Sequence, residues 1–520
     1  MKARTARENL TVRLHGFILL FVAAAPLGAA HAGGYYATDI GVRAYGRAGA
    51  FVARADDGTA AWYNPAGFAN QDGTRMTLDA GFVRQSIFFQ RMDPSGNTAG
   101  YEPQGNNAAP RLIPFLGFSS DFGLKNFVFA LSGFGPNGRK LDYPANGPGR
   151  YSMIETNVAE AFAQLSVAWR PHPTFSVGAA FRYVYNSATQ SRKITIAGGT
   201  PDNEGADDVG LTFDVRDAFV PNAQFGVLWS PLRWLDFGLS YRLPTNVEAD
   251  GEMRVDPADV ARLRAGRFPN VALCSERTCA VDKQNHGNIR VNFGLPGILR
   301  AGARVHQSAP EKRRWDLEVD FVWERWTGFG KLETLPQEVY YTLASRTPAK
   351  LPNIVEERGY GNAFSVRMGG DFEVLRNWLV ARAGVFFETS AVPLQAVNVG
   401  IVDAPKVGFT VGLTFNWQWL SLSAAYGHTQ LFEQTVKDSV TKQINLTYLA
   451  FGAQDQSPAV GNGLYRSGWH IFNVGLSVNF DQLYGWVKGR PQPPAALRAE
   501  LAPGGARSNE VVPSGPSRGQ

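Results

Sequence analysis

Six arginines, Arg182, Arg242, Arg300, Arg304, Arg367 and Arg382, stand on the polar face of segments whose other face is apolar, and so do Glu160, Asp316, Glu318 and Asp320. A guanidinium presents a planar fork of donors that fits both oxygens of a carboxylate. Such a set has two uses. The arginines pair with acidic side chains across an enclosed lumen and with whatever fills it, or one or two of them hold the acidic head group of an apolar ligand. For any single arginine the first use is favoured; for the set, at least one ligand contact is expected. Arg182, Arg242, Arg300, Arg367 and Arg382 are the candidates for carboxylate binding.

Catalytic constellations are not found. The seven histidines are scattered, and only His428 is assigned to a strand interior, with Ser421 and Ser423 given the same face. Nucleophilic catalysis needs a base in reach of the nucleophile and a third group that orients the base. No such set is present, so an enzyme is not expected, and an outer-membrane lipid hydrolase is the least favoured reading. Phosphate loops, zinc signatures and nucleic-acid motifs are missing as well, so neither cofactor nor metal nor nucleic-acid partner is expected. Cys274 and Cys279 lie in one polar segment. In an oxidising compartment such a pair is expected to form a local loop disulfide. A metal pair is the alternative, without a histidine cluster at ligand spacing to complete it.

The elements that must position these side chains are strands. Phe175, Val177, Ala179, Phe181, Tyr183 and Tyr185 alternate with Ser176, Gly178, Ala180, Arg182 and Asn186. The same register recurs at Leu235, Phe237, Leu239 and Tyr241, and at Trp315, Leu317, Val319, Phe321 and Trp323. Strand side chains point to opposite faces in turn, giving one oily and one polar face. A soluble sandwich alternates too, but its strands are nearer five or six residues long. Here the segments are longer, carry aromatic tips, and are joined by short turns alternating with long polar loops, which is the habit of a transmembrane barrel. The segments are 75–91, 111–122, 126–136, 158–171, 174–196, 210–230, 233–255, 289–307, 313–331, 362–376, 378–391, 405–418, 419–436 and 467–480, about fourteen in all. The fold class is therefore all-β, a closed antiparallel transmembrane barrel over 75–480, which leaves no backbone group unpaired in lipid. The longest outer loops are expected at 256–288, 332–361 and 437–466.

Composition agrees. Apolar residues make up 44%, charged residues 18% and aromatics 12%, with 56 glycines. A mean hydropathy of −0.18 excludes a bundle of apolar helices of about 20 residues each. The net charge of +6 is too small and too terminal to be a nucleic-acid footprint. Residues 1–32 read as a cleaved signal peptide: Lys2, Arg4, Arg7 and Arg13, then the apolar Phe17 to Ala25, then Ala30-His31-Ala32. Residues 33–74 are rich in glycine and small residues, which suits a plug inside the barrel. Residues 481–520, rich in Pro, Gly, Ala and Arg, are expected to be a disordered periplasmic tail.

The plug segment reads GVRAYGRAGAFVARADDGTAAWYNPAGFAN over residues 41–70. Its small residues, the pair Asp56-Asp57 and the run Asn64-Pro65-Ala66 resemble the hatch of the long-chain fatty-acid outer-membrane transporter family, with its toluene-uptake relatives. Phe134-Gly135-Pro136-Asn137-Gly138, Leu239-Ser240-Tyr241-Arg242, Leu295-Pro296, Trp323-Glu324-Arg325-Trp326, Arg382-Ala383-Gly384 and Ala424-Ala425-Tyr426 are similar in order. The resemblance spans most of 33–480 and implies a fourteen-stranded outer-membrane barrel, monomeric, that contacts outer-membrane lipid and takes up a hydrophobic small molecule. Long-chain fatty acids are the first choice and aromatic hydrocarbons the alternative; a structural or adhesive barrel is the alternative of another class. The resemblance further implies a ligand groove between outer loops, an inner pocket entered by the N-terminal segment (here Tyr35 and Tyr36), and sideways release at a kink in the third strand. Gly133 and Gly135 stand where that kink would form, or they mark the strand's end. One departure is the C-terminus: the aromatic last strand, Phe472 to Phe480, is followed by forty more residues.

Overall fold

A computed structural model describes residues 39–489 except 137, 197–204, 281–282, 309–313, 344–346, 451 and 454–455. The expected signal peptide, Tyr35, Tyr36 and residues 490–520 lie outside the described residues. Alternating side chains on long strands produce fourteen barrel strands: β1 (Thr74–Arg91), β2 (Arg111–Ser120), β3 (Phe127–Phe134), β4 (Glu155–His172), β5 (Phe175–Thr195), β6 (Asp208–Leu232) and β7 (Leu235–Arg242). Then come β8 (Gly297–His306), β9 (Trp315–Arg325), β10 (Ala363–Leu375), β11 (Leu379–Glu388), β12 (Lys406–Trp417), β13 (Leu420–Leu431) and β14 (Gly463–Asn479). Each is antiparallel to the next, and β14 closes on β1 from Arg75↔Asn479 to Arg91↔Gly463. Outward residues such as Leu78, Phe82, Phe225, Leu239, Phe321, Leu413 and Phe472 are exposed, while inward neighbours such as Asp79, Gln224, Ser240, Asp320 and Asn473 are buried. That inversion of the soluble pattern is what a lipid-facing wall requires.

Two expected strands are each two elements. The segment expected as 233–255 breaks at Leu243-Pro244, and 289–307 breaks at Pro296. Proline has no N–H for the ladder. Past these breaks, Thr245–Val255 and His286–Leu295 pair with each other, and the first returns to the outer end of β6. They extend the sheet above the barrel together with Lys331–Gln337, which lies beyond the end of β9 rather than within it.

The tail expected from 481 begins instead with a helix, Phe480–Val487. Asn479 caps it by accepting from the Gln482 N–H at 3.1 Å. Asp481 accepts from the Thr74 N–H at 3.1 Å, and Trp486 meets Trp417 and Trp419 with ring centroids 6.3 and 6.2 Å away. The aromatic content that followed the last strand is therefore used against the barrel rim.

Candidate functional site: the lumen and a break in the wall

Residues 39–73 cross the lumen as two short helical turns, Val42–Tyr45 and Ala60–Tyr63, followed by a 3-10 helix, Pro65–Asn70. Small residues let this segment press on the wall, and the wall meets it with glycines at inward positions. A Cβ on Gly238 would lie 2.3 Å from the Val52 carbonyl oxygen, one on Gly369 2.1 Å from that of Arg47, and one on Gly178 2.4 Å from the Ala66 nitrogen. These contacts account for glycine on the inward side of several strands, a signal the alternation contained.

Asn64, Pro65 and Ala66 form a cap. The Asn64 carboxamide donates to the carbonyls of Val52 and Val227, both at 3.0 Å, and its oxygen accepts from the Ala66 N–H at 3.1 Å. Pro65 occupies the first position of the 3-10 helix, where a missing N–H costs nothing. One residue thus ties two parts of the segment to β6.

Ion pairs anchor the other side. Arg47 is fully buried and reaches Asp316 at 2.5 Å, Asp371 at 2.8 Å and Glu318 at 3.1 Å. Arg54 reaches Asp316 at 2.5 Å and Asp371 at 2.9 Å. Asp320 accepts from the N–H groups of Phe51 and Val52 at 2.7 and 3.0 Å. Burial alone would raise the Asp56 carboxyl, but Arg43 and Arg54, each 3.0 Å away, outweigh it and hold it below the ordinary carboxylate range. Arg47 and Arg54 had not been singled out, although both stand in the plug segment.

The five candidate arginines all face the lumen and are buried or nearly so. Arg367 pairs with Asp39 and with Glu388, the latter at 3.0 Å, and Arg382 pairs with Asp371 at 3.1 Å. These two belong to the anchoring network. Arg182, Arg242 and Arg300 instead surround Trp62, their guanidinium carbons 5.7, 5.0 and 5.0 Å from its ring centroid. Arg182 also binds Gln164, Gln224 and, at 2.8 Å, the Ala61 carbonyl.

Trp62 continues into an aromatic cluster. Its ring lies 6.1 Å from Phe134 and 6.2 Å from Phe162; Phe134 lies 5.5 Å from Phe115 and 5.3 Å from Phe162. Immediately outward of Phe134 the wall breaks. The β3–β4 ladder ends at Phe134↔Phe162 and resumes at Gly138↔Ala159, with one residue more on the β3 side. Toward β2 the ladder ends at Phe115↔Phe134, followed by the Gly135 N–H on the Pro114 carbonyl at 3.3 Å, and contact resumes only at Asn107, whose N–H donates to the Asp142 carbonyl at 2.9 Å. Pro114 has no N–H to offer β3, and Pro136, one position past Gly135, has none to offer β4. Gly135 is in the break, where a Cβ would lie 3.0 Å from the Glu160 carbonyl oxygen; Gly133 is still within the ladder. The Arg111 side chain lies across the gap against Gly138, its guanidinium 3.4 Å from the Asn157 carboxamide oxygen.

At the outer end, Ile194, Leu211, Met253, Val260, Leu273 and Ile444 line an apolar cavity. Helix Pro257–Ala265 and strand Ala272–Cys274 roof it. Cys274, in that roof, is bonded to Cys279, with Cα atoms 5.1 Å apart.

His428, Ser421 and Ser423, expected on one face of a strand, are on two. His428 points outward and Ser421 and Ser423 inward, since even and odd positions of β13 face opposite sides. His470, in β14, is a second strand histidine, 4.5 Å from His428 between ring centroids. Among the described residues no group of three or more His, Cys, Asp and Glu could hold a metal ion.

Known proteins share this architecture. A structure titled as a Pseudomonas aeruginosa FadL homologue superposes with a TM-score of 0.69 at 19% identity, covering 86% of this chain and all of that one. The toluene transporters TbuX of Ralstonia pickettii and TodX of P. putida superpose at 0.56 and 0.55, with 12% and 14% identity, covering 84% and 82% of this chain and 97% and 94% of theirs. In sequence, a long-chain fatty acid transport protein of Escherichia coli O6:H1 is 23% identical over 414 residues, 75% of this chain and 84% of that protein. The family model described as outer membrane protein transport protein (OMPP1/FadL/TodX) matches residues 23–465, and the chain belongs to that family of outer-membrane proteins.

Proposed function

We propose that this barrel takes up hydrophobic compounds, long-chain fatty acids foremost, by diffusion past a fixed hatch and out through the break beside β3. One observation carries the reading: the wall breaks on both sides of β3, next to the lumenal cluster of Trp62, Phe115, Phe134 and Phe162. An apolar chain gains about 0.8 kcal/mol per buried CH₂. A greasy path that ends in the membrane keeps that gain, whereas a water-filled pore forfeits it. The ligand first settles in the outer apolar cavity and then descends to the aromatic cluster. Residues 39–73 act as the hatch and block straight passage, and the segment that precedes them, with Tyr35 and Tyr36, fills the inner pocket. Arg182, Arg242 and Arg300, gathered around Trp62, supply the positive charge for a carboxylate. The Cys274–Cys279 disulfide stiffens the roof of the outer cavity, residues 1–32 are removed on export, and the barrel works as a monomer without cofactor or metal.

Uptake of aromatic hydrocarbons is the second reading, favoured by the four aromatic rings at the break and by the toluene transporters among its structural neighbours. Lipid extraction from the purified protein with mass spectrometry separates the two. Fatty acids are expected; neutral hydrocarbons, or no ligand, would overturn the first reading. Deleting residues 33–70 is expected to open conductance to small ions, and unchanged conductance would remove the hatch.

A further inference from the structure

The outward faces of β13, β14 and β1 form aligned rows, because the three strands are in register. From the short-turn end these rows are Leu420–Val478–Met76, Leu422–Leu476–Leu78, Ala424–Val474–Ala80 and Tyr426–Phe472–Phe82. The next row is His428–His470–Arg84. Eight residues separate Met76 from Arg84, about 26 Å of strand and about 20 Å of height once the strands tilt by about 40°. The basic row therefore stands at the outer shoulder of the apolar band. On the adjoining strands the same register row stays apolar, with Phe409, Val385 and Met368 continuing it. The basic groups are thus local to three strands and do not mark a general end of the lipid-facing surface.

The row is arranged rather than scattered. The two imidazoles lie 4.5 Å apart between centroids, and the Tyr426 hydroxyl is 2.8 Å from His470 Nδ1. With that hydroxyl donating, His470 presents its Nε2 as a donor. His428 Nδ1 is buried without a hydrogen-bond partner, which leaves its Nε2 as the ring nitrogen that can face a ligand, and Arg84, exposed, has no ion pair among the described residues. The row itself contains no acidic side chain; Glu433, further out, is taken by Arg466. Beyond the row stand Ser86, Gly468 and Gln430, small or uncharged. Donors and a permanent charge meeting at the boundary of hydrocarbon, without an acid to neutralise them, match an anion that sits at that depth. In the outer leaflet of the outer membrane that anion is a phosphate on a lipid headgroup.

We propose that Arg84, His470 and His428 bind the phosphate-bearing headgroup of an outer-leaflet glycolipid, fixing one lipid against the seam where β14 closes on β1. The test uses the full mature chain in phosphate-free detergent, with bisphosphorylated lipid A as probe and native mass spectrometry as readout. Wild type is expected to retain lipid A, and Arg84→Ala/His470→Ala to bind it about tenfold more weakly or worse. Arg84→Lys, which keeps the charge, and Arg466→Ala, outside the row, are expected to bind as wild type. Retention of heat-modifiable migration on gels checks that each barrel is folded. Lipid A stripped of its phosphates is expected to bind wild type no better than the double variant does. Equal binding of phosphorylated and dephosphorylated lipid, or wild-type binding by the double variant, would overturn the site. Displacement of the lipid by inorganic phosphate at equal concentration would overturn the headgroup assignment and leave a free-anion site.

Discussion

Where residues 39–73 meet β8 to β12, contact is charged, hydrogen-bonded and tight; where they meet β2 to β4, it is aromatic, and the wall itself is broken. On the first side Arg47 and Arg54 fill a nest of Asp316, Glu318 and Asp371, and wall glycines admit the backbone. On the second, Trp62 leans on Phe134 and Phe162, and two prolines withhold donors from the ladder. The difference teaches which part is built to stay and which to yield. Removing one partner from a buried ionic nest is expensive, while sliding one apolar group past another is not. A path that needs the hatch to leave would have to break the first side; a path through the wall uses only the second.

The strongest way to break this comparison is Arg47→Ala. It leaves Glu318 buried without its arginine and takes one of several partners from Asp316 and Asp371, which keep Arg54, Arg304 and Arg382; breaking such a buried pair costs about 3–5 kcal/mol. The expected outcome is a loosened hatch inside an intact barrel, read as small-ion conductance in planar bilayers and as protease cleavage near residue 50. A silent variant would mean that the charged side does not hold the segment.

Asn64→Ala attacks the junction between the two sides. It leaves the Val52 and Val227 carbonyls and the Ala66 N–H without their partner, at a cost of about 1–3 kcal/mol. Hydrogen exchange at Ala66 and Gly67 should speed up measurably, with conductance near wild type because the ion pairs remain.

Mending the wall tests the yielding side. Pro114→Val with Pro136→Val restores one backbone donor on each side of the break, Pro114 toward β3 and Pro136 toward β4. Uptake of radiolabelled fatty acid should fall about tenfold, the effect of about 1.4 kcal/mol on the barrier, and ion conductance should not change. A fall in neither would move the exit elsewhere.

Much of this was legible before the fold was known, and what was not has physical reasons. Alternation over long segments carries strand number and lumenal side, because the period of two is set by the backbone; Arg182, Arg300 and Asp320 therefore fell on the correct face. Boundaries beyond the membrane were harder. Thr245–Val255 alternates as well as any barrel strand does, and only Pro244 marks the point where it leaves the wall. Trp62 and Arg47 were hidden because their roles depend on contacts more than 70 residues away in sequence, with Phe134, Asp316 and Asp371. His428 differs in parity from Ser421 and Ser423, so strict alternation puts it on the opposite, outward face. The helix Phe480–Val487 is hidden in the sequence because eight residues are too few for a period to show, and its partners, Trp417 and Trp419, are on the rim.

The smallest expected effect sharpens the ligand rather than the path. Arg300 donates to the Trp62 carbonyl at 3.4 Å and lies over its ring, beside Arg242. Of the lumenal arginines it is less committed than Arg367 or Arg382, whose charges are spent on Asp39, Glu388 and Asp371. Arg300→Gln keeps a donor toward Trp62 and removes the charge. With Arg182 and Arg242 still in place, the loss for a carboxylate ligand is about 1 kcal/mol, roughly fivefold in Kd. A neutral hydrocarbon of equal length should bind the variant and the wild type alike. Titration with a fluorescent fatty acid and with its methyl ester makes the comparison inside one protein. If the acid and the ester lose affinity equally, the arginines around Trp62 serve the hatch alone, and the aromatic cluster by itself selects what passes.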